Sequence, residues 1–265
     1  MSKINLPFIK AAWYIIRRSL APVLICLCLF SCSKDKNPQG TSTLTIINAV
    51  TGSNLLVANF NGTVPLNTYR DANRLMYNFF SAFSNQFTSY SGQLALGVYV
   101  YPDTLEKSTP LFNLALDLPV GSVHSLFLTG TMEHPDTVFV TDQLPYYPLA
   151  DSITGFRFIN LSPGNSPVSI RIQGRTGSAE VSSLPYKGVT GFRPYAAKAA
   201  SEDYVFEFRD AGSGALITSY TVTGISDPGI VAPNNWRNHN FTLALLGQPG
   251  GTGNLAPSVL LINNY

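Results

Sequence analysis

The segment GFRFINLSPGNSPVSIRIQG, residues 155–174, contains two short apolar runs with turn-forming residues between them. In the second run, residues 168–172, Val, Ile and Ile alternate with Ser and Arg. Alternation with a period of two is typical of a strand that has one face in a core and the other in solvent. The segment therefore predicts a strand, a turn and a second strand.

Similar runs recur along the rest of the chain. One series lies at 43–50, 55–60, 94–101, 111–118, 125–130 and 136–141, and a second at 155–160, 168–172, 204–210, 216–223, 241–247 and 258–263. Six or so short strands in each series, with almost no capped amphipathic helix, predict an all-β fold of two antiparallel β-sandwiches. A single large barrel is the alternative architecture.

The two series correspond to each other. Ile47 matches Ile159 at an offset of 112, and Tyr77 matches Tyr186 at an offset of 109. Residues 125–130 match 242–247 at an offset of 117, and 138–143 match 259–264 at an offset of 121. Offsets that drift slightly are expected where loops differ in length between equivalent strands. We therefore predict a tandem duplication, with one sandwich at 43–148 and the other at 153–265, and the repeat argues against the barrel.

Four stretches, at 156–174, 182–195, 204–214 and 241–250, resemble the bacterial domain family of unknown function 4397. In that family a strand, an Asn or His, Ser-Pro-Asp-Ala-Pro and a second strand are followed further on by Tyr-Gly. The resemblance covers residues 155–265 well and 43–142 weakly. It implies an immunoglobulin-like sandwich in an exported, often lipid-anchored protein, and it carries no established activity. Gly164, Asn165 and Ser169 stand where the family usually has acidic residues, so no carboxylate site is carried over.

The N-terminal region has the pattern of an export signal. Residues 1–31 contain four basic residues, no acidic residue and an apolar run at 20–30, which is shorter than the about 20 residues that a spanning helix needs. The run ends in Leu-Phe-Ser-Cys, which resembles the lipobox of bacterial lipoproteins and makes Cys32 the predicted acylation site. The resemblance implies an outer-membrane lipoprotein on the periplasmic or cell-surface face. The polar residues 32–42 are then a flexible tether.

Charge and cysteine content narrow the range of partners. The chain has 17 basic and 15 acidic residues, and the leader holds four of the basic ones, so the mature chain has a net charge of about −2. Nucleic-acid binding needs a basic patch or stripe, and we therefore expect no nucleic-acid partner. Cys26 and Cys28 lie inside the leader, so we expect neither a disulfide nor a cysteine metal site.

The remaining motifs do not favour an enzyme. Residues 251–256, GTGNLA, fit G-x-G-x-x-A, but only nine residues follow them, so we interpret them as a hairpin loop rather than a dinucleotide site. His124, His134 and His239 are expected to be structural or solvent-facing. Residues 133–136, EHPD, are interpreted as a solvated turn, and the carboxylates are too scattered for a glycosidase pair. We predict no catalytic residue, cofactor or metal.

Aromatic residues are the least ordinary feature of the sequence. Seven lie from Tyr69 to Tyr90 in a segment rich in Asn and Ser, and two more lie between prolines at the junction of the halves. They either pack inside or between the domains, or they form an exposed surface for sugar rings or a protein partner. The candidate aromatic surface comprises Tyr69, Phe79, Phe80, Phe87, Tyr90, Tyr146 and Tyr147.

The sequence thus predicts a non-catalytic, lipid-anchored protein of the cell envelope that presents two β-sandwiches to a glycan or a protein partner. The alternatives are a structural subunit of an envelope complex and a hydrolase whose site the sequence does not reveal.

Overall fold

The computed structural model describes residues 40–62, 73–103 and 108–264. The first half of the chain forms β1 (Thr41–Asn48), β2 (Leu55–Asn59), β3 (Asn73–Met76), the single-turn helix α1 (Ala82–Asn85), β4 (Gln86–Tyr90), β5 (Gly92–Val100), β6 (Phe112–Leu118), β7 (Val123–Gly130) and β8 (Pro135–Thr141). The second half forms β9 (Ile153–Asn160), β10 (Val168–Ile172), β11 (Val181–Leu184), β12 (Arg193–Ala196), β13 (Tyr204–Asp210), β14 (Leu216–Val222), β15 (Asn240–Leu246) and β16 (Ser258–Asn263). The predicted all-β sandwich fold is confirmed.

Each half consists of two four-stranded sheets, and the two halves share one strand order. The first half has the orders β4-β1-β7-β8 and β3-β2-β5-β6, and the second has β12-β9-β15-β16 and β11-β10-β13-β14. Adding eight to each strand number of the first half gives the order in the second. A tandem duplication explains this relation, because each repeat then carries the same topology.

The first strand begins earlier than the sequence predicts. Thr41 and Ser42, which the sequence assigns to the tether, pair with Tyr90 and Ser89 of β4. Ladder hydrogen bonds to a neighbouring strand hold these residues in the sheet, although their polar composition is that of the tether. The tether prediction of 32–42 is therefore two residues too long.

One strand pair in each half is parallel, whereas the sequence predicts antiparallel sandwiches. β1 runs parallel to β7, and β9 runs parallel to β15. These four strands are buried along nearly their whole length. Strands covered on both faces read as continuous apolar runs rather than as an alternation. The two central sheets must therefore face a core on each side.

Each half has its own core between its two sheets. Leu44, Ile46, Leu56, Leu96, Val98, Leu126 and Leu128 belong to the core of the first half. Phe156, Phe158, Ile170, Phe206, Phe208, Leu243 and Leu245 belong to the core of the second half. In the second core Phe206 packs against both Phe156 and Phe158, with ring centroids 5.3 and 5.2 Å apart. Aromatic pairs at such distances add to the stabilisation from burial alone.

Asn48 and Asn160 end the first strand of each half in the same way. Asn48 Nδ2 donates to the carbonyl oxygen of Leu75 at 3.1 Å, and Asn160 Nδ2 donates to that of Leu184 at 3.2 Å. In both, Oδ1 accepts the backbone N–H two residues further on, at 3.1 Å. Both side chains are fully buried. The match that the sequence shows at this position therefore reflects a shared structural role.

We expect Asn48→Ala and Asn160→Ala each to lower the free energy of unfolding by about 1–3 kcal/mol, because each leaves buried backbone groups without a partner. Urea denaturation followed by circular dichroism measures both. Asn113→Ala, on the exposed side of β6, is the control and should change stability by less than about 0.5 kcal/mol. A near-zero loss for one of the two buried asparagines would contradict their equivalence.

Candidate functional site: the interface between the two halves

The two halves pack against each other through a third hydrophobic core, which we call the shared core. Its buried members are Ile47, Ala49, Phe127, Ile159, Leu161, Ala244, Leu246, Leu260 and Ile262. They lie on the faces of β1, β7, β9, β15 and β16 that point away from each half's own core, except Ala49 and Leu161, which directly follow β1 and β9. The sandwiches are therefore joined face to face by their central sheets.

The shared core is built from the same surface of both repeats. Ile47 and Ile159 are equivalent at the offset of 112, and both lie in it. Phe127 and Ala244 are equivalent at the offset of 117, and both lie in it as well. An interface that uses the same patch on both partners is isologous, as in a two-fold symmetric dimer. The chain is thus organised like a homodimer whose subunits are covalently joined.

Tyr77 and Tyr186 show this symmetry, because each reaches across to the other half. Tyr186 Oη donates to Thr129 Oγ1 at 3.4 Å, and burial raises the pKa of the Tyr186 hydroxyl. Burial likewise raises the pKa of the Tyr77 hydroxyl, and the nearby backbone of Gly247 and hydroxyl of Thr51 reduce the rise. Within the described residues, the Tyr77 hydroxyl forms no hydrogen bond by distance and angle, either with Gly247 or with Thr51.

The residues that directly follow these tyrosines, Asn78 and Lys187, also form equivalent contacts with the other half. Both have a positive φ, 53° and 66° respectively. Lys187 Nζ lies 2.8 Å from Asp136 Oδ1 in an ion pair. At the equivalent place, Asn78 Nδ2 donates to Ser258 Oγ at 3.2 Å. One end of the interface is therefore closed by charges, and the other has an amide and a hydroxyl.

A buried ion pair links the halves inside the interface, and the sequence does not predict it. Arg157 Nη1 lies 2.6 Å from Asp142 Oδ1, and the two side chains are 3% and 1% exposed. Arg157 Nε donates to Thr242 Oγ1 at 2.7 Å, and Nη2 donates to Ser125 Oγ at 3.2 Å. Its guanidinium carbon lies 4.7 Å from the ring centre of Phe192. Residues of both halves thus hold the charge of Arg157.

The corresponding positions of the opposite repeats are uncharged. Arg157 corresponds to Thr45 at the offset of 112. The pairing of β7 with β8 and of β15 with β16 gives an offset of 122 for the last strand, so Asp142 corresponds to Asn264. Two first halves would bury two Asp142 carboxylates, and two second halves would bury two Arg157 guanidiniums. The charges therefore select the pairing of a first half with a second half.

A cavity of about 350 Å³ opens beside the shared core at the Asn78 end, and we call it the cleft. Its lining includes Asn54, Met76, Tyr77 and Asn78 from the first half and Asn254 and Ser258 from the second. Among the described residues that line it, Tyr77 alone has a titratable side chain. The volume lies at the lower end of the range for small-ligand sites, about 300–1,000 Å³.

The predicted aromatic surface is not gathered in one place. Phe87 packs against the core of the first half and Phe80 against the shared core. Phe79 is 42% exposed and Tyr90 is 67% exposed. Cys32 and Tyr69 lie outside the described residues. Phe80 and Phe87 were candidates because of their position in an aromatic segment, but their rings are used for packing, so these two assignments are corrected.

The two exposed candidates of this segment, Phe79 and Tyr90, lie at opposite ends of β1, whereas Phe83, which was not a candidate, is also exposed. Tyr90 pairs with Thr41 at the start of the strand, whereas the backbone N–H next to Phe79, that of Asn78, donates to the carbonyl oxygen of Asn48 at its end. Asn48 lies seven residue steps after Thr41 along the strand, which corresponds to roughly 23 Å. Phe79 and Tyr90 cannot stack on the same sugar unit.

The two tyrosines of the junction behave differently from each other. Tyr146 is 85% exposed. Tyr147 packs on Gly155, where an added Cβ would lie 2.8 Å from the Tyr147 hydroxyl. Asn240 Nδ2 donates to the carbonyl oxygen of Pro145 at 2.9 Å and holds the junction against β15. Tyr147 thus acts as a wedge, and Tyr146 remains open to solvent.

Two of the three histidines considered for catalysis have structural contacts, and His134 is exposed. His124 stacks on Phe139 with ring centroids 4.8 Å apart, and His239 Nδ1 lies 2.7 Å from the carbonyl oxygen of Arg237. Residues 251–256 connect the antiparallel strands β15 and β16, as predicted for a hairpin loop. In residues 40–62, 73–103 and 108–264, three or more His, Cys, Asp or Glu side chains nowhere converge as metal ligands would. No helix in the described part of the chain could span a membrane.

Comparisons with known proteins give a distant likeness. No protein-family model matches the chain, and no curated protein matches it. A candidate adhesin from Bacteroides ovatus is similar in structure at 12% identity and a TM-score of 0.25, over 88% of this chain and 98% of that one. The fimbrial anchor protein Mfa2 from Porphyromonas gingivalis is similar at 11% identity and a TM-score of 0.26, over 85% and 100%. Likeness at this level carries no argument about function, and the resemblance to family 4397 stays a prediction.

Proposed function

We propose that the protein is a non-catalytic component of the cell envelope, anchored through acylated Cys32, that presents a rigid double sandwich to a glycan or a protein partner. The observation that carries the proposal is the shared core, which joins both sandwiches through equivalent buried faces. A scaffold that is ordered before binding loses little conformational entropy when a partner docks. In a molecule that a tether holds away from a membrane, the same rigidity keeps the binding surface in one conformation.

The chemistry of the cleft supports binding rather than catalysis. General acid–base catalysis needs groups whose pKa lies near the working pH. The titratable group in the described lining is the Tyr77 hydroxyl, and burial moves its pKa upward, away from neutral pH. The amides and the hydroxyl around it can donate and accept hydrogen bonds without transferring a proton.

A second candidate, a structural subunit of an envelope complex, is favoured by an exposed loop of the second half. Ile230 is 85% exposed, and Val231 is fully exposed. Asn234 Nδ2 and Arg237 Nη2 each donate to the carbonyl oxygen of Asp227 at 2.9 Å and hold the loop in place. An ordered apolar tip suits insertion into a pocket of another protein. Crosslinking in intact cells through this loop would recover such a subunit.

Metabolic labelling with an alkyne analogue of palmitate tests the anchor. We expect the wild-type chain to be labelled and Cys32→Ala to be unlabelled, because that thiol receives the diacylglycerol that carries the acyl chains. Cys28→Ala is the matched control and should be labelled like the wild type, since Cys28 lies in the leader. Label on the Cys32→Ala variant would refute the predicted anchor.

A further inference from the structure

The two ends of the interface have diverged from one another. At the first end, the ion pair between Lys187 and Asp136 joins the halves. At the equivalent end, the positions are occupied by Asn78 and Ser258, and the cleft opens there. Asn78 and Lys187 have similar φ values, 53° and 66°, so the two contacts differ through their side chains. The cleft also borders the loop between β15 and β16, which is longer than the loop between β7 and β8. The neutral end has an amide and a hydroxyl in place of the ion pair, and the cleft beside them is lined by both halves.

The lining of the cleft has the hydrogen-bonding chemistry of a sugar site. Asn54, Asn78 and Asn254 each offer an amide that donates through nitrogen and accepts through oxygen. Neighbouring hydroxyls of a sugar ring also donate and accept, so one amide can bond two of them. Met76, which is 52% exposed beside these amides, provides an apolar surface for the C–H face of a ring.

The absence of charge in the described lining narrows the ligand further. An anionic group is usually met by Arg or Lys, which bind carboxylates and phosphates through charge-assisted hydrogen bonds. The residues that line the cleft are Asn, Ser, Met, Tyr, Gly and Ala. A neutral ligand is therefore favoured over an acidic one.

We propose that the cleft binds a neutral sugar unit of a glycan, with Asn78 and Asn254 as its hydrogen-bonding residues from the first and second halves. This inference rests on the proposed binding function and assigns it a site. A volume of about 350 Å³ accommodates a small ligand, so the cleft takes one end or one branch of a glycan. Because both halves contribute residues, the site exists only while the interface is intact.

The symmetry of the chain supplies the test. The double variant Asn78→Lys/Ser258→Asp copies into the cleft the ion pair that closes the other end. The backbone accepts it, because Lys187 has nearly the same φ as Asn78. The matched control, Lys187→Asn/Asp136→Ser, copies the neutral pair to the closed end. Asn254→Ala is a milder variant in an exposed turn, and circular dichroism verifies that all of these variants fold.

The soluble mature chain, residues 33–265, is first applied to an array of neutral and acidic oligosaccharides. The neutral oligosaccharide that binds best is then titrated by calorimetry. We expect Asn78→Lys/Ser258→Asp to raise its dissociation constant at least tenfold and Asn254→Ala to raise it severalfold. The control should change it less than twofold.

Three results would overturn the assignment. Binding confined to acidic oligosaccharides, or to peptides offered in a parallel screen, would show that the ligand class is wrong. Glycan binding unchanged in Asn78→Lys/Ser258→Asp would place the site elsewhere and leave the proposed binding function standing. Binding to none of the oligosaccharides would remove the sugar site, while the labelling of Cys32 independently decides the envelope anchor.

Discussion

Replacing Asp142 with Asn is expected to lower the free energy of unfolding by about 3–5 kcal/mol. The substitution leaves the guanidinium of Arg157 buried without its counter-charge, and breaking a buried ion pair from one side has a cost of this size. Arg157→Thr should have a comparable effect, because it leaves the Asp142 carboxylate buried with Ser125 as its remaining described partner. Both free energies are measured by urea denaturation of the soluble chain.

The double variant Asp142→Asn/Arg157→Thr reproduces the uncharged pair that the opposite repeats carry as Asn264 and Thr45. We expect the decrease in its free energy of unfolding to be smaller than the sum of the decreases in the two single variants. The difference should be about 1–3 kcal/mol, which is typical of residues in direct contact. The smaller Thr side chain leaves some space beside Phe192, so the double variant should not regain full stability. Strictly additive losses would mean that the two charges do not interact across the interface.

Replacing Phe127 with Ala should lower the free energy of unfolding by about 3–5 kcal/mol, since a fully buried ring is lost from the shared core. Because this core belongs to both halves, hydrogen exchange should rise in β15 of the second half as well as in β7 of the first. Phe83→Ala is the matched control. Its ring is fully exposed, and its removal should change stability by less than about 0.5 kcal/mol.

Two outcomes would contradict this account of Phe127. A loss below about 1 kcal/mol would mean that the ring is not held in a packed interior. Faster exchange limited to the first half would mean that the shared core does not couple the two sandwiches.

Twelve of the sixteen described strands could be predicted from the sequence, because alternation and turn residues are local signals. The other four, β3, β4, β11 and β12, were missed; they are short strands at the sheet edges, where the apolar pattern is weakest. The repeat could be recognised from recurring pairs such as Ile47 and Ile159. The packing of the two repeats against each other could not be predicted. A strand that is buried on both faces has a continuous apolar sequence, and that sequence does not indicate which part of the molecule covers each face. Ile47 and Ile159, which the sequence places in two separate sandwiches, both lie in the shared core.

A shift of one residue shows the limit of matching sequence letters. The sequence aligns Val138 with Val259 at an offset of 121, but the strand pairing makes Val138 equivalent to Leu260. Both Val138 and Leu260 lie against the shared core, whereas Val259 faces the core of the second half. A slip of one residue moves a side chain to the other face of its sheet.

The candidate site could not be predicted for a different reason. Asn78 and Ser258 are 180 residues apart in the chain, and they meet because the repeats pack through equivalent faces. The same packing explains Arg157, which looks like an outward polar residue in its strand and is nevertheless buried. Long-range contacts of this kind depend on which faces associate, and the local pattern does not contain that information.

Differential scanning calorimetry of the soluble mature chain tests most directly whether the two sandwiches form one structural unit. The shared core and the buried ion pair predict a single transition for which the calorimetric enthalpy equals the van't Hoff enthalpy of the whole chain. Two transitions, each accounting for about half of the enthalpy, would contradict the account, because the halves would then unfold as independent domains.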